Sequence, residues 1–280
     1  MQLTDTYRRV KKSIVAFIPK CIPTSNPNAR PPRVFPIFGT GFIAREDGIV
    51  ITNDHVVKAF DNKPKPPNSH PDEWGVQALL FHIREHSLLS MPIDVIGVAQ
   101  VAGFKHGENY YGPISPDIAL VRVKAQDLPV LEIGDQLIEE GMDVATSGFP
   151  MGTEMLTAPG WLHQIAPTLQ KGIVSAVMPF ECEEPHTFAV NMMVQGGASG
   201  SPVFDPETGK VLGLIYAGVN HRAKTVDGKE YLVPTMVSYA VPWRFLKIAL
   251  SSMKIAPPLP EDTPRFSEMI ARSGAGPLTN

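Results

Sequence analysis

The sequence predicts an all-β fold, and two patterns indicate it. Short apolar stretches alternate with turn residues along most of the 280-residue chain, which contains 23 glycines and 28 prolines. Such short, punctuated strands are typical of a β-sandwich or β-barrel. Within residues 41–53, two β-rich segments flank Asp47-Gly48, a pair that suits a tight hairpin because glycine adopts positive φ at little cost. Further strands are predicted at residues 13–19, 92–101, 117–123, 143–149, 172–180, 187–194, 210–218 and 237–242.

The C-terminal part of the chain has a different pattern. Residues 242–254 carry apolar side chains at helical spacing, and a proline is tolerated in the first turn of a helix. We therefore expect a C-terminal α-helix packed on the β structure. Residues 256–280 are rich in proline and polar residues, which predicts a flexible tail with one short helical turn around residues 266–272.

Composition and charge exclude several classes of protein. The net charge of −3 provides no general attraction to nucleic acid. No apolar run approaches the ~18 residues that span a bilayer, so we expect no membrane span. Two cysteines, Cys21 and Cys182, are too few for a disulfide framework. No clear signal peptide is recognised, and the sequence therefore predicts a cytoplasmic protein.

The segment QGGASGSP at residues 195–202 contains a candidate nucleophile, Ser199. A serine hydroxyl reacts well only when a base lies within hydrogen-bond reach and a third group orients that base. The candidate base is His55, which follows a strong strand pattern in ITNDHVV, and the candidate orienting group is Asp117, which opens an apolar strand. The separations of His55, Asp117 and Ser199 along the chain would let the three residues meet at a seam between two barrels.

Several segments, taken in order, resemble trypsin-like serine proteases and most of all their HtrA-type bacterial branch. They are TGFIAREDGIVITNDHVV, DIALVRV, GFPMG followed by LQKGIVSAV, GGASGSPVF and SYAVP, and the resemblance covers roughly residues 10–250. It implies two antiparallel six-stranded β-barrels with the active site between them. The implied protease domain spans residues 1–255, with barrels at about 10–125 and 140–241, a helix at 242–254 and the tail after it.

The resemblance also implies roles for individual residues. Ser199 would be the nucleophile, His55 the general base and acid, and Asp117 the group that orients the imidazole. The backbone N–H groups of Gly197 and Ser199 would form the oxyanion hole. The expected reaction is endopeptidase cleavage of a polypeptide substrate through an acyl-enzyme, without a cofactor or metal.

The same resemblance outlines a substrate pocket. Met193 would lie at its floor and Val237 on its far wall, while Tyr216, Ala217 and Gly218 would pair with the substrate backbone. None of these residues is charged, so we expect a preference for apolar residues before the cleaved bond.

One position departs from the family pattern. The residue before the nucleophile is usually Asp in secreted trypsin-like enzymes and Asn in the HtrA-type branch, whereas Ala198 can make neither interaction. This predicts a less firmly held oxyanion loop and allows for an activating partner. About 25 residues follow the helix, too few for the PDZ domain common in that branch, so we expect a solitary protease domain. The oligomeric state stays open.

Two alternatives stay open at this point. HIREH at residues 82–86 matches the H-x-x-E-H pattern of zinc proteases, which needs a helix to bring both histidines to one metal; in a strand, His82 and His86 would lie roughly 13 Å apart. The chain could also be an inactive protease homologue that binds peptides or a partner. Ala198 favours that alternative, and the complete set of Ser199, His55 and Asp117 argues against it.

Overall fold

The computed structural model describes residues 2–20, 37–65, 74–84, 87–101, 115–150, 167–179, 184–225, 227–253 and 258–273. Twelve strands form two closed antiparallel barrels of six strands each, which confirms the predicted fold class. The first barrel contains β1 (Ile14–Pro19), β2 (Gly39–Arg45), β3 (Ile49–Thr52), β4 (Val76–Arg84), β5 (Ser87–Gln100) and β6 (Ala119–Val123). The second contains β7 (Asp143–Gly148), β8 (Thr168–Met178), β9 (Thr187–Val190), β10 (Pro202–Phe204), β11 (Val211–Lys224) and β12 (Glu230–Pro242).

Strand order follows the same rule in both barrels. The first barrel closes in the order β1-β2-β3-β6-β5-β4 and the second in the order β10-β11-β12-β9-β8-β7. Four α-helices accompany the described strands: α1 (Leu3–Val10), α2 (Asp54–Lys58), α3 (Trp243–Ser252) and α4 (Phe266–Ser273), and a short 3₁₀ helix (Lys11–Ser13) follows α1. Among the described residues, no helix has the length and apolar character that crossing a membrane requires.

The alternation of side chains along β1 shows how one strand serves two cores. Val15 and Phe17 lie in the apolar cluster inside the first barrel, whereas Ile14, Ala16 and Ile18 belong to a cluster that also includes residues of the second barrel. Successive side chains of a strand point to opposite faces. A strand that is apolar on both faces can therefore fill its own barrel and also pack against the neighbouring one.

Helix α3 packs where the sequence placed a helix. Phe245, Leu246 and Ala249 are buried in the cluster shared by the two barrels. The indole N–H of Trp243 donates a hydrogen bond to the carbonyl of Gln136 at 2.8 Å. Residues at this three-to-four spacing present one apolar face, which explains the docking.

The segment after α3 was predicted as a flexible tail with one short helical turn around residues 266–272, and the structure shows a docked helix at that turn. Its residues 266–273 form α4, whose Phe266, Met269 and Ile270 pack against the apolar cluster of the first barrel. The N–H of Phe266 donates to the carbonyl of Gln126 at 2.9 Å. The sequence indicated a helical turn here but not its docking, because the helix is stabilised by packing against a distant part of the chain.

The N-terminal helix α1 was not predicted either. Its Tyr7 hydroxyl donates to the carbonyl of Pro167 at 2.6 Å, and its Thr6 hydroxyl donates to the carbonyl of Glu207 at 2.9 Å. These bonds attach α1 to the second barrel. Thr6 and Val10 are the buried residues of the helix.

Candidate active site

His55 and Asp117 lie side by side on the first barrel. His55 is in α2, directly after β3, and Asp117 is two residues before β6, the strand that pairs with β3. The His55 Nδ1 and Asp117 Oδ2 atoms are 2.5 Å apart. The main-chain N–H of His55 donates to Asp117 Oδ1 at 3.0 Å. One carboxylate therefore fixes both the imidazole ring and a free N–H group at the start of α2.

The buried side chain of Asn53 also fixes the position of Asp117. The Asn53 side-chain amide donates to the Asp117 carbonyl at 2.7 Å. Asn53 is buried, and the Asp117 side chain is only 21% exposed, whereas that of His55 is 47% exposed. The carboxylate thus lies behind the imidazole, which remains accessible to a substrate.

Ser199 belongs to a loop of the second barrel that is attached to the first barrel through Thr40. The Thr40 main-chain N–H donates to the carbonyl of Ser199 at 2.8 Å. The Thr40 hydroxyl donates to the carbonyl of Gly197 at 2.6 Å. Two hydrogen bonds from one residue of β2 therefore hold the loop on both sides of Ala198.

A short chain of hydrogen bonds connects Ser199 to the segment that carries His55. The Thr52 hydroxyl donates to the Thr40 carbonyl at 2.7 Å, and the Thr40 N–H donates to the Ser199 carbonyl. Thr52 is the last residue of β3 and lies three residues before His55. The structure therefore brings the loop of Ser199 and the pair His55–Asp117 to one seam between the barrels.

Gly200 allows the close approach of the two barrels. Its φ is +87°, and an added Cβ would lie 2.0 Å from the Thr40 carbonyl oxygen. Any side chain would therefore clash with the backbone of β2. On its other side, the Gly200 N–H donates to the carbonyl of Ile215 at 3.0 Å, which ties the loop to β11.

Two N–H groups of the loop remain available to a ligand. In the described part of the chain, the main-chain N–H groups of Gly197 and Ser199 have no protein acceptor. The neighbouring N–H groups are engaged: Ala198 donates to Gln195, Gly200 to Ile215 and Ser201 to Ala198. Gly197 has a φ of +93°, a conformation that glycine adopts without strain. The loop therefore leaves free the two donors that the sequence singled out.

A cavity of about 400 Å³ adjoins Ser199. Its lining includes Tyr216, Ala217 and Gly218, three of the five predicted pocket residues. The rest of the lining consists of Val194, Gln195, Gly196, Asn220 and Pro234. No charged side chain is among these residues. A smaller cavity of about 300 Å³ lies beside α1 and shares no residue with this site.

Met193 and Val237 are not among the residues that line this cavity, contrary to the pocket predicted from the resemblance. Met192 and Val194 are buried in the core of the second barrel, so Met193 points outward and is 36% exposed. Val237 lies in a bulge of β12, because the register passes from Gly218 opposite Ser238 to Asn220 opposite Pro234. An uninterrupted alternation along the chain cannot anticipate that shift.

The phenol of Tyr216 contributes a neutral polar group to the cavity. Burial raises the pKa of Tyr216, and the hydrogen bond with Thr187 opposes this rise. The two hydroxyl oxygens are 3.3 Å apart. The wall of the cavity is therefore uncharged at neutral pH, with amide and hydroxyl groups as its polar elements.

Sequence reasoning missed Gln195, Asn220 and Pro234 as lining residues. Asn220 and Pro234 are far apart in the sequence and meet only because β11 and β12 pair as a hairpin. Gln195 lies within the QGGASGSP motif, and its position there was the available signal. No local pattern marks the other two.

The structure does not provide the helix that the zinc-site alternative requires. His82 lies in strand β4 opposite Leu89, whereas the zinc-protease pattern needs a helix. The ring of His82 contacts that of Phe266 edge-on, with centroids 5.8 Å apart. His86 lies outside the described residues. Across the described ranges, no group of three potential metal ligands is found.

Comparison with known proteins identifies the family. The model of the trypsin-like peptidase domain matches residues 39–214, well over half of the chain. A probable periplasmic DegP-like serine endoprotease of a Marinomonas species is 25% identical over 207 residues, which cover 72% of this chain and 34% of the relative. The counterpart of Pseudomonas fluorescens is 28% identical with the same coverage. The chain therefore belongs to the trypsin-like peptidase family and spans about a third of the length of these relatives.

Structural comparison agrees with the fold. A solved structure described as the HtrA-type protease AlgW with a decapeptide gives a TM-score of 0.55 at 15% identity, covering 90% of this chain and 67% of that one. The predicted resemblance to trypsin-like serine proteases is thus confirmed, and the chain shares its fold with an HtrA-type protease. The predicted cytoplasmic location is wrong by the same comparisons, because the matched relatives are named periplasmic endoproteases. A short, unclear N-terminal pattern was a poor guide to the compartment.

Proposed function

We propose that this trypsin-like peptidase is a serine endopeptidase with Ser199 as its nucleophile, His55 as its general base and acid, and Asp117 as the orienting group. The observation that carries the proposal is the double contact of Asp117 with His55. When Nδ1–H donates to the carboxylate, the neutral imidazole keeps its basic lone pair on Nε2. That nitrogen can then accept the proton of a serine hydroxyl.

The proposed reaction proceeds in two balanced steps. Ser199 Oγ bonds to the carbonyl carbon of the substrate while its proton passes to His55 Nε2, and the tetrahedral oxyanion accepts hydrogen bonds from the N–H groups of Gly197 and Ser199. Collapse breaks the C–N bond, and His55 returns the proton to the leaving amine. A water molecule then attacks the acyl-enzyme by the same route, which releases the acid and restores Ser199.

The uncharged lining of the cavity supports an apolar preference for the residue before the cleaved bond. Val194, Pro234 and the ring of Tyr216 offer apolar surface, and Gln195 and Asn220 offer neutral polar groups. A charged substrate side chain would lose its hydration there without meeting an opposite charge. Digestion of a peptide library tests this point, and predominant cleavage after Arg or Lys would contradict it.

The names of the relatives support a periplasmic location as part of the proposal. Cell fractionation of the native host, with immunodetection of the chain beside marker proteins of each compartment, tests it. Recovery in the cytosolic fraction alone would contradict it.

A fluorophosphonate probe tests the proposed nucleophile directly. We expect labelling on Ser199, located by mass spectrometry, and its loss in Ser199→Ala. Ser201→Ala is a matched control two residues away, because the buried Ser201 hydroxyl has no hydrogen-bond partner within the described residues. Its labelling should persist. Absence of labelling in the wild-type chain, with retained peptide binding, would favour the inactive homologue instead.

A further inference from the structure

Strands β11 and β12 extend beyond the second barrel as a two-stranded ribbon. Their pairing continues from Asn220 opposite Pro234 to Lys224 opposite Glu230. Strand β10 pairs with β11 only as far as Leu214, and the loop of Ser199 covers Ile215. Beyond that residue, the described part of the chain supplies no strand to the opposite edge of β11. The ribbon therefore begins at the active-site cavity and carries an open edge away from it.

One face of the ribbon continues the wall of the cavity. Asn220 and Pro234 line the cavity together with Ser199. Side chains of a strand alternate between faces, and residues opposite each other in an antiparallel pair share a face. Arg222 and Leu232 lie opposite each other. They therefore form the next pair on the face of Asn220 and Pro234.

This next pair offers an apolar group and a positive charge to solvent. Leu232 is 61% exposed. Arg222 is exposed, and none of the described carboxylates forms an ion pair with it. The following pair on this face, Lys224 and Glu230, neutralises itself through a 3.2 Å ion pair. Arg222 is thus the unbalanced charge of the face.

We propose that this face, formed by Asn220, Arg222, Leu232 and Pro234, binds the part of the polypeptide substrate upstream of the cleaved bond and selects an acidic residue beside Arg222. The inference rests on the proposed function, because it takes Ser199 as the point of cleavage. A peptide that adds antiparallel to the open edge of β11 advances one residue for each residue of the strand. Arg222 lies six positions beyond Tyr216, so the acidic residue lies about six positions upstream of the one opposite Tyr216.

A second copy of the chain is the competing occupant of this face. Continuity with the cavity favours the substrate, because the same strand lines the cavity and carries Arg222. Sedimentation velocity decides between the two. A dimer in wild type that is lost in Leu232→Ser would overturn the assignment to substrate.

The experiment uses an intact library peptide that the wild type cleaves. The peptide is extended upstream and carries either Asp or Lys at the position facing Arg222. Binding is measured by fluorescence anisotropy to the Ser199→Ala protein, and turnover is measured on the wild type. We expect the Asp peptide to bind about two- to fivefold more tightly than the Lys peptide, the range of an exposed ion pair. The preference should shrink at high salt and reverse in Arg222→Glu.

The opposite face of the ribbon provides the matched control. Leu232→Ser should weaken the binding of both peptides, whereas Tyr231→Ser should not, because Tyr231 is 49% exposed but lies on the other face. Equal binding of the two peptides, or a preference that survives Arg222→Glu, would overturn the inference. Failure of the proposed function is distinguishable: wild type would then cleave no library peptide, and a library peptide that binds the Ser199→Ala protein would be extended instead, so that the anisotropy still reports on the ribbon.

Discussion

Replacing Thr40 by valine tests whether the first barrel holds the loop of Ser199, the proposed oxyanion loop, in place. The Thr40 hydroxyl donates to the carbonyl of Gly197 at 2.6 Å and accepts a hydrogen bond from the N–H of Phe149 at 3.2 Å. Thr40 is fully buried, and both of its partners are buried too. Valine has nearly the same shape, so the change removes both hydrogen bonds and leaves little cavity.

The size of the effect follows from the two groups that lose their partner. A buried donor or acceptor left unsatisfied costs about 1–3 kcal/mol. We therefore expect Thr40→Val to lower the free energy of unfolding by about 2–4 kcal/mol. The main-chain bond from Thr40 to Ser199 remains, so the loop stays attached but Gly197 loses its restraint. If about 1.4–2.7 kcal/mol of that loss is expressed in the transition state, kcat/KM falls roughly 10- to 100-fold.

Thr40→Ser is the control, because it keeps the hydroxyl and removes only a methyl group. Urea unfolding gives the stability of both variants, and the rate of fluorophosphonate labelling gives the reactivity of Ser199. We expect Thr40→Ser to be labelled at close to the wild-type rate and Thr40→Val to be labelled at least tenfold more slowly. Equal stability and equal labelling of the two variants would refute the role assigned to the hydroxyl.

Three further predictions address the orienting group, the barrel contact and the response to acid. Asp117→Asn should lower kcat by about four orders of magnitude, as in other triads of this kind, and a loss below tenfold would contradict its role. Gly200→Ala should lower Tm markedly, because its Cβ would lie 2.0 Å from the Thr40 carbonyl oxygen; a wild-type Tm would exclude that contact. Burial raises the pKa of Asp205, but hydrogen bonds from the main-chain N–H groups of Thr208 and Glu207 and from Gln136 outweigh it and lower the pKa. Such a carboxylate stabilises the fold above its unfolded pKa and loses that contribution as pH falls through the lower folded value. The Tm gap between wild type and Asp205→Ala should therefore close below about pH 4 in thermal scans, and a gap independent of pH would contradict the argument.

The two barrels and the seam residues could be predicted because their signals are local. Alternating apolar residues define strands such as β3 and β6, and His55 and Asp117 lie within a few residues of their ends. Helix α1 and the docking of α4 could not be predicted in the same way. Each helix is short and is stabilised by contacts with residues more than a hundred positions away, such as Thr6 with Glu207 and Phe266 with Gln126.

The pocket shows a second limit of sequence reasoning. Tyr216, Ala217 and Gly218 are consecutive residues of β11 and were found by resemblance, although the pairing register already shifts between Ile215 and Ala217. Pro234 reaches the same cavity only because three residues of β12 bulge opposite Val219, where the Thr235 hydroxyl donates to the Val219 carbonyl at 2.8 Å. A bulge changes which residues face inward from that point on. The sequence contains no periodic signal for it.

Ala198 lacks the polar side chain that the family pattern has at this position, and the fold explains how the loop is held without it. Its lack of a polar side chain suggested a less firmly held loop and allowed for an activating partner. In the structure its methyl group is buried, at 3% exposure, in the apolar core of the second barrel. An Asp or Asn side chain there would have to find a polar partner inside that core or remain unsatisfied. The restraint that a polar side chain would supply comes instead from Thr40, which holds Gly197 and Ser199 on either side of Ala198. The first barrel thus fixes the loop. The absence of a polar side chain at Ala198 therefore does not by itself call for an activating partner.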